Sequence, residues 1–356
     1  MSGPVHPALQ TRFCDLVGCR VPIVQTGMGW VSGANLTAAT SAAGGFGILA
    51  AVTMTPDQLR DAVRGVKERT TAPFGVNFRA DQPDLPDRVA FAVREGVRLV
   101  SFAGAPTRDA VARCHDAGVA VMPTVGARRH AEKVLEMGVD AVIAQGGEGG
   151  GHTGTVPTSL LLPQVVDAVG GDIPVLGAGG FFDGRGLVAA LAYGADGIAM
   201  GTRFLLTRES HVPPAVKERY TDASVFDTVV TTALDGAPQR VIRTEVVDRI
   251  ERSPRLLRFP RAAMAALRFR KETGTSVREL VREGLAMKRN QDLTWSQVAL
   301  AANAPMLIKA TMVDGKPEVG ILPTGQVTGV IDELPTVAEL LERIESEAAA
   351  VLKGLA

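Results

Sequence analysis

Short apolar runs recur along the first 200 residues with helical segments between them, and this rhythm restricts the fold more than anything else in the chain. The runs are Pro22–Gly27, Phe46–Ala50, Phe74–Phe78, Leu99–Gly104, Ala120–Val125, Ala141–Gly146, Pro174–Gly180 and Gly197–Thr202. Each is rich in Val, Ile, Leu or Ala and lacks polar alternation, which is how a strand buried on both faces reads. The segments between them end alike. Val111 and Cys114 share a helix that Thr107 can cap and Gly118 stops; Ala131, Val134 and Leu135 precede Gly138; Leu187, Val188 and Leu191 precede Gly194; Gly96 closes another. Glycine takes the left-handed turn past a helix end without strain, and each of these leads directly into a strand. Repeated β-then-α units of this length require parallel strands with right-handed crossovers. Eight of them predict an α/β fold, a closed (β/α)8 TIM barrel. An open doubly wound sheet would need fewer strands and a dinucleotide fingerprint after the first, which is absent.

The length of 356 residues suits a barrel with an addition. Residues 1–205 read as the barrel. Residues 206–304 read as an inserted helical subdomain interrupted by one extended stretch, Val229–Thr244. Residues 305–356 read as a tail returning to the barrel, with weak strand runs at Glu318–Leu322 and Gly329–Ile331 and a final helix over Thr336–Leu352.

Composition removes several classes of function. Lys+Arg and Asp+Glu both number 38 and aromatics make up 4%, so the chain lacks the positive field and stacking surface of a nucleic-acid binder. The three cysteines form no CxxC pair and leave an odd thiol, which suits a reducing cytoplasm and argues against a disulfide framework or a metal site. The uncharged stretch Val21–Pro56 is broken by Gln25, Asn35 and several threonines and glycines, so it reads as buried barrel and not as a membrane span. Met1–Gln10 has no apolar signal core. The expectation is a cytoplasmic protein with a small-molecule substrate; a homo-oligomer is compatible with the sequence and not specified by it.

In such a barrel chemistry sits on the loops after the strand C-termini, and the unusual residues fall there. Gln25-Thr26-Gly27-Met28-Gly29 follows the first run and Asn77 the third. Gly177-Ala178-Gly179-Gly180 ends the seventh and Met200-Gly201-Thr202-Arg203 the eighth. Bare backbone N–H groups on two adjacent loops suit a phosphate. The alternative is that these glycines only make tight βα turns. After the sixth run, five glycines between Gln145 and His152 let the backbone press against a flat ring. His152 is the histidine at a strand C-terminal loop, while His115 and His130 fall in outer helices, His6 in the leader and His211 in the subdomain. A histidine beside a bound ring is a natural base; the alternative is a loop histidine bonded to carbonyls. Glu148 either orients His152 or faces solvent.

With these residues the chain resembles the nitronate monooxygenase-like family, formerly the 2-nitropropane dioxygenases. The matching pieces are QTGMG (25–29), FGVNF around Asn77, QGGEGGGHTG (145–154), GAGGFFDGR (177–185) and AMGTRF (199–204), in order across the whole barrel. The resemblance implies an FMN barrel in which the loop histidine, His152, takes a proton from carbon. It implies flavin contacts at Thr26, Gly27, Met28, Asn77, Gln145, Gly150, Gly180, Gly201 and Thr202, and it admits NAD(P) as electron donor or acceptor. Within the family, FFDGRG (181–186), VVTTALDGAPQRVIRTE (229–245) and LTWSQVALAANAPML (293–307) resemble actinobacterial flavoenzymes of late steroid-ring (cholesterol) degradation that act on an indane-carboxyl-CoA thioester.

Residues 251–290 carry eleven Lys/Arg against four acids, a local net charge of +7 in a neutral protein. Arg255, Arg258 and Arg261 in this stretch suit the phosphates of coenzyme A; a solvated helix face explains them as well. Three readings follow: dehydrogenation or reduction α,β to a CoA thioester, nitronate oxidation with dioxygen, and a flavin- or phosphate-binding barrel without turnover. Whether Lys309 or Gln326 on the returning tail reaches the site is open at this point.

Overall fold

A computed structural model describes residues 5–252 and 303–355. Parallel strands close into a barrel in the order β1 (Ile23–Gln25), β2 (Phe46–Ala50), β3 (Gly75–Arg79), β4 (Leu99–Ala103), β5 (Ala120–Val125), β6 (Val142–Gln145), β8 (Val175–Ala178) and β9 (Gly197–Met200). β9 returns to β1 with Ile23 opposite Ile198 and Val24 opposite Ala199. Between β6 and β8 lies a two-residue strand, β7 (Gly151–His152), which leaves the barrel for a second sheet. The TIM barrel expected from the spacing of the apolar runs is the fold, and each run coincides with one barrel strand, β3 running one residue past its run to Arg79.

Strands buried on both faces supply two layers of core. Val24, Phe46, Ile48, Leu99, Met122, Ile143 and Leu176 fill the barrel interior. The helix Arg12–Val17 adds Phe13 and Val17 to that cluster, with the Phe13 ring edge-on to Phe46 at 6.0 Å. Val76, Val100, Val121 and Val142 face the surrounding helices and their Val63, Val89, Val111 and Val134. The helix ends behave as their sequences dictate. Thr107 accepts the Ala110 N–H at 3.1 Å, and Gly96, Gly118, Gly138 and Gly194 all adopt positive φ, between 67° and 87°.

The tail closes the barrel wall. The helix Val337–Leu355 lies on the helix Gly184–Ala192 so tightly that a Cβ on Gly184 would stand 2.4 Å from the Ala348 nitrogen. The other tail segments depart from expectation. Glu318–Leu322 forms no strand; Pro323 makes a single bridge to Val241. Gly329 lies in a 3-10 helix, Gln326–Val330, and its bare Cα packs against the backbone of Ser224 and Val225, where a Cβ would not fit. Apolar runs of this length carry no period by which strand and helix can be told apart.

In the described part of the region after the barrel, a helix over Pro214–Thr221 leads into an antiparallel hairpin, β10 (Thr228–Thr231) and β11 (Gln239–Ile242), then a helix over Glu245–Arg252. β11 also pairs with β7, Gln239 opposite His152 and Arg240 opposite Gly151. The hairpin is thereby sewn to the loop after β6. No helix among the described residues is long and apolar enough to cross a membrane.

Candidate functional site

The C-terminal ends of the strands surround a cavity of about 560 Å³, within the usual range for cofactor and substrate sites. It gathers Thr26, Gly27 and Met28 after β1, Asn77 on β3, and Gln145 and Gly150 around the loop after β6. Gly180 after β8 and Gly201 and Thr202 after β9 complete the ring, and His152 stands in the same space. All the barrel residues singled out by sequence therefore meet in one place. Arg255, Arg258 and Arg261 lie outside the described residues.

One side of the cavity is cut to backbone. Gly201 has an ordinary φ of −106°, and a Cβ placed there would make only ordinary van der Waals contacts, the nearest being Met28 Sδ at 3.4 Å and Thr26 Oγ1 at 3.5 Å. Gly179 and Gly180 hold left-handed backbone, φ 96° and 84°, a conformation that costs a residue with a Cβ about 1–2 kcal/mol. Gly27 instead serves packing, since its Cβ would stand 2.5 Å from Asn77 Cβ. The wall combines glycine backbone with the side-chain amides of Asn77 and Gln145 and the Thr26 hydroxyl. Such a donor set fits a planar heterocycle carrying a phosphate. Several of these groups already have partners. Asn77 Nδ2 donates to Ser101 Oγ at 3.3 Å, Gln145 Nε2 to the His152 carbonyl at 2.7 Å, and Thr202 Oγ1 accepts the Gly325 N–H at 2.9 Å.

Apolar groups line the cavity as well: Pro305, Ile308 and Met312 from the helix Asn303–Met312, with Val327 and Pro323 from the tail. Lys309 belongs to that helix. Gln326 docks the tail by donating its backbone N–H to the Glu148 carbonyl at 3.0 Å. Trp30, also lining the cavity, has a φ of 65°, and its buried indole N–H meets no acceptor among the described residues. Backbone strain of this kind is concentrated at functional sites.

His152 owes its orientation to the hairpin. Its imidazole is 66% exposed, whereas the carboxylate that Nε2 meets at 2.8 Å, Asp235, is only 7% exposed. Asp235 lies between β10 and β11, 83 residues away in sequence. Gln239, buried opposite His152 on β11, donates from Nε2 to the same Asp235 oxygen, and the Ala237 N–H donates to the other at 3.1 Å. Glu148 has a different task. Its Oε2 accepts the Thr158 N–H at 2.8 Å and the Thr158 hydroxyl at 2.6 Å, capping the helix Thr158–Val169. Sequence reading left Glu148 either orienting His152 or facing solvent; it does neither, since it caps that helix, and Asp235 is the acid bonded to the imidazole. The signal for Asp235 was present but weak: an acid followed by Gly236 and Pro238 marks a hairpin turn, and nothing in its spacing links it to His152.

A family model described as nitronate monooxygenase matches residues 10–347 of the chain. A Mycobacterium tuberculosis protein named (3aS,4S,5R,7aS)-5-hydroxy-7a-methyl-1-oxo-octahydro-1H-indene-4-carboxyl-CoA dehydrogenase is 55% identical over 341 residues, 96% of each chain. Its namesake in Rhodococcus jostii is 52% identical over 340 residues, again 96% of each. Among solved structures, FabK from Thermotoga maritima superposes with a TM-score of 0.77 at 34% identity, over 97% of this chain and 98% of that one.

Proposed function

The chain belongs to the nitronate monooxygenase family of flavin-dependent oxidoreductases, and within it we propose that this protein is an FMN-dependent dehydrogenase of an indane-carboxyl-CoA thioester. The observation that carries the reading is the placement of His152, held by a buried carboxylate, in the same cavity as the glycine wall. A binding barrel without turnover has no use for an imidazole so held. The substrate class rests on the two relatives named above, which align over nearly the full length of both chains.

The residues divide the work. The loops at Gly179–Gly180 and Gly201 suit the phosphate of FMN, and Asn77, Gln145 and Thr26 suit the polar edge of its ring. When bound, the flavin supplies the two-electron oxidation that no side chain can perform. His152 takes the proton from the carbon next to the thioester carbonyl, where the electron-withdrawing group makes C–H acidic. Backbone donors at the mouth steady the charge that develops on the carbonyl oxygen. Pro305, Ile308 and Met312 offer an apolar surface to a fused hydrocarbon ring and keep water from it. The basic stretch at 251–290, including Arg255, Arg258 and Arg261, suits the coenzyme A phosphates.

The test is anaerobic mixing of the yellow protein with an indane-carboxyl-CoA thioester and, separately, aerobic mixing with a nitronate. Thioester-dependent bleaching of the flavin absorbance supports the dehydrogenase. Oxygen-consuming nitronate turnover without thioester bleaching assigns the monooxygenase reaction instead. Addition of NAD(P)+ to the bleached protein then tests whether a nicotinamide takes the electrons.

A further inference from the structure

The base described above has a partner and therefore a handedness at the level of single atoms. We propose that Asp235, held by Gln239, is the positioning residue that keeps the proton of neutral His152 on Nε2, so that Nδ1 is the atom that accepts the substrate proton. The inference rests on the assignment of His152 as the base.

Consider what a 2.8 Å approach of His152 Nε2 to Asp235 Oδ2 allows. Both atoms carry lone pairs, and with no hydrogen between them the contact is repulsive. An ionised carboxylate only accepts, so the hydrogen belongs to Nε2. The carboxylate is kept an acceptor by its other donors. Gln239 Nε2 donates to Oδ2 and the Ala237 N–H donates to Oδ1. The Gln239 amide also stands 3.2 Å from His152 Nε2. It cannot usefully donate there once Nε2 bears its own hydrogen, and its nearer acceptor is Asp235. No hydrogen bond to Nδ1 occurs among the described residues. One nitrogen is tied down and the other is left for chemistry.

The arrangement is rigid where it needs to be. Asp235 and Gln239 are buried, and Gln239 stands opposite His152 in the β7–β11 ladder, with the Thr153 N–H donating to the Pro238 carbonyl one step on. The backbone thus sets the distance from carboxylate to ring. In the proton transfer the C–H bond adjacent to the carbonyl breaks, its proton goes to Nδ1, and its electron pair remains on carbon. The imidazolium so formed donates Nε2–H to a carboxylate already in place, which stabilises the charge as it develops. A buried acid behind an imidazole acts this way in base-assisted catalysis generally, by orientation, tautomer and charge.

The experiment combines a spectrum with a kinetic cycle. In the intact, flavin-loaded protein with His152 neutral, 15N NMR of the imidazole is expected to show a protonated Nε2 and a bare Nδ1. The opposite tautomer overturns the proposal, and this readout needs no variant to fold. In the cycle, Asp235→Asn should lower kcat by about 10²–10⁴ with KM nearly unchanged, and Asp235→Glu should recover part of the loss. The double variant with His152→Ala should be no slower than His152→Ala alone, because Asp235 acts through that ring. Additive losses, or an Asp235→Asn variant as fast as the parent while His152→Ala is slow, overturn the positioning role and leave the base intact. If His152→Ala itself is fast, the base assignment falls and the proposal falls with it.

Discussion

The two walls of the barrel mouth are made in opposite ways. On one, the loops after β8 and β9 present glycines, and the proposed flavin contacts rest on what is missing: a Cβ at Gly201 would meet nothing closer than 3.4 Å, and Gly179 and Gly180 adopt left-handed backbone. On the other, β7 leaves the barrel to pair with a hairpin, and the proposed base is a side chain whose placement depends on a partner 83 residues away. The first wall is a property of the loops themselves and needs only the barrel beneath it. The second exists only when β10, β11 and β7 have assembled. A cofactor cradle can be written into a few adjacent residues; a base that must point correctly needs support from elsewhere in the fold.

The contrast predicts different failures. The largest effect is expected at the assembled wall. His152→Ala should reduce the rate of substrate-dependent flavin bleaching by about 10²–10⁴ while the protein purifies as yellow as the parent. Loss of flavin in that variant would mean that the two walls are not separable. Next comes Gly201→Asp. A like charge beside a phosphate costs several kcal/mol, so flavin affinity should fall by roughly 10²–10³. Gly201→Ala should do much less, because its Cβ meets nothing closer than 3.4 Å. Equilibrium dialysis of FMN against both variants makes the comparison, and equal retention by both would place the phosphate elsewhere.

Glu148 sharpens the distinction between the two acids of the mouth. Since it caps the helix Thr158–Val169 through Thr158, Glu148→Ala should cost about 0.5–2 kcal/mol of stability, the usual range for a lost cap. Its kcat should change far less than that of Asp235→Asn. Denaturant midpoints and turnover measured on the same preparations separate the two, and a kcat loss without a stability loss would return Glu148 to the chemistry. The smallest effect is expected from the basic stretch. Reversing Arg255, Arg258 and Arg261 to Glu should raise KM for a CoA thioester several-fold, with a dependence on ionic strength, and leave a small nitronate unaffected. An unchanged thioester KM would make that stretch a solvated face.

The barrel was legible in the sequence because its signals are local. A strand buried on both faces is apolar at every position, and Gly96, Gly118, Gly138 and Gly194 mark the helix ends within a few residues of the strands they feed. The residues of the candidate cradle were legible for the same reason. Thr26, Gly180 and Gly201 each follow a strand and Asn77 lies in β3, and in this fold every strand C-terminus reaches one rim. The tail was less so: Gly329 packs on Ser224 and Val225 and sits in a 3-10 helix where a strand run was expected. Its conformation answers to a neighbour that the local sequence does not contain.

By itself, then, the sequence determined the barrel, its rim, the glycines that line the rim cavity and the presence of His152 beyond β6. Which acid serves that histidine was decided by tertiary structure. Glu148 is four residues from His152 and turns away to Thr158, while Asp235 reaches it through the pairing of β11 with β7. The physical reason lies in range. Periodicity and turn chemistry act over a few residues and leave their mark in every segment, whereas a 2.8 Å contact between a loop and a hairpin depends on strand register between distant segments, which no segment carries alone.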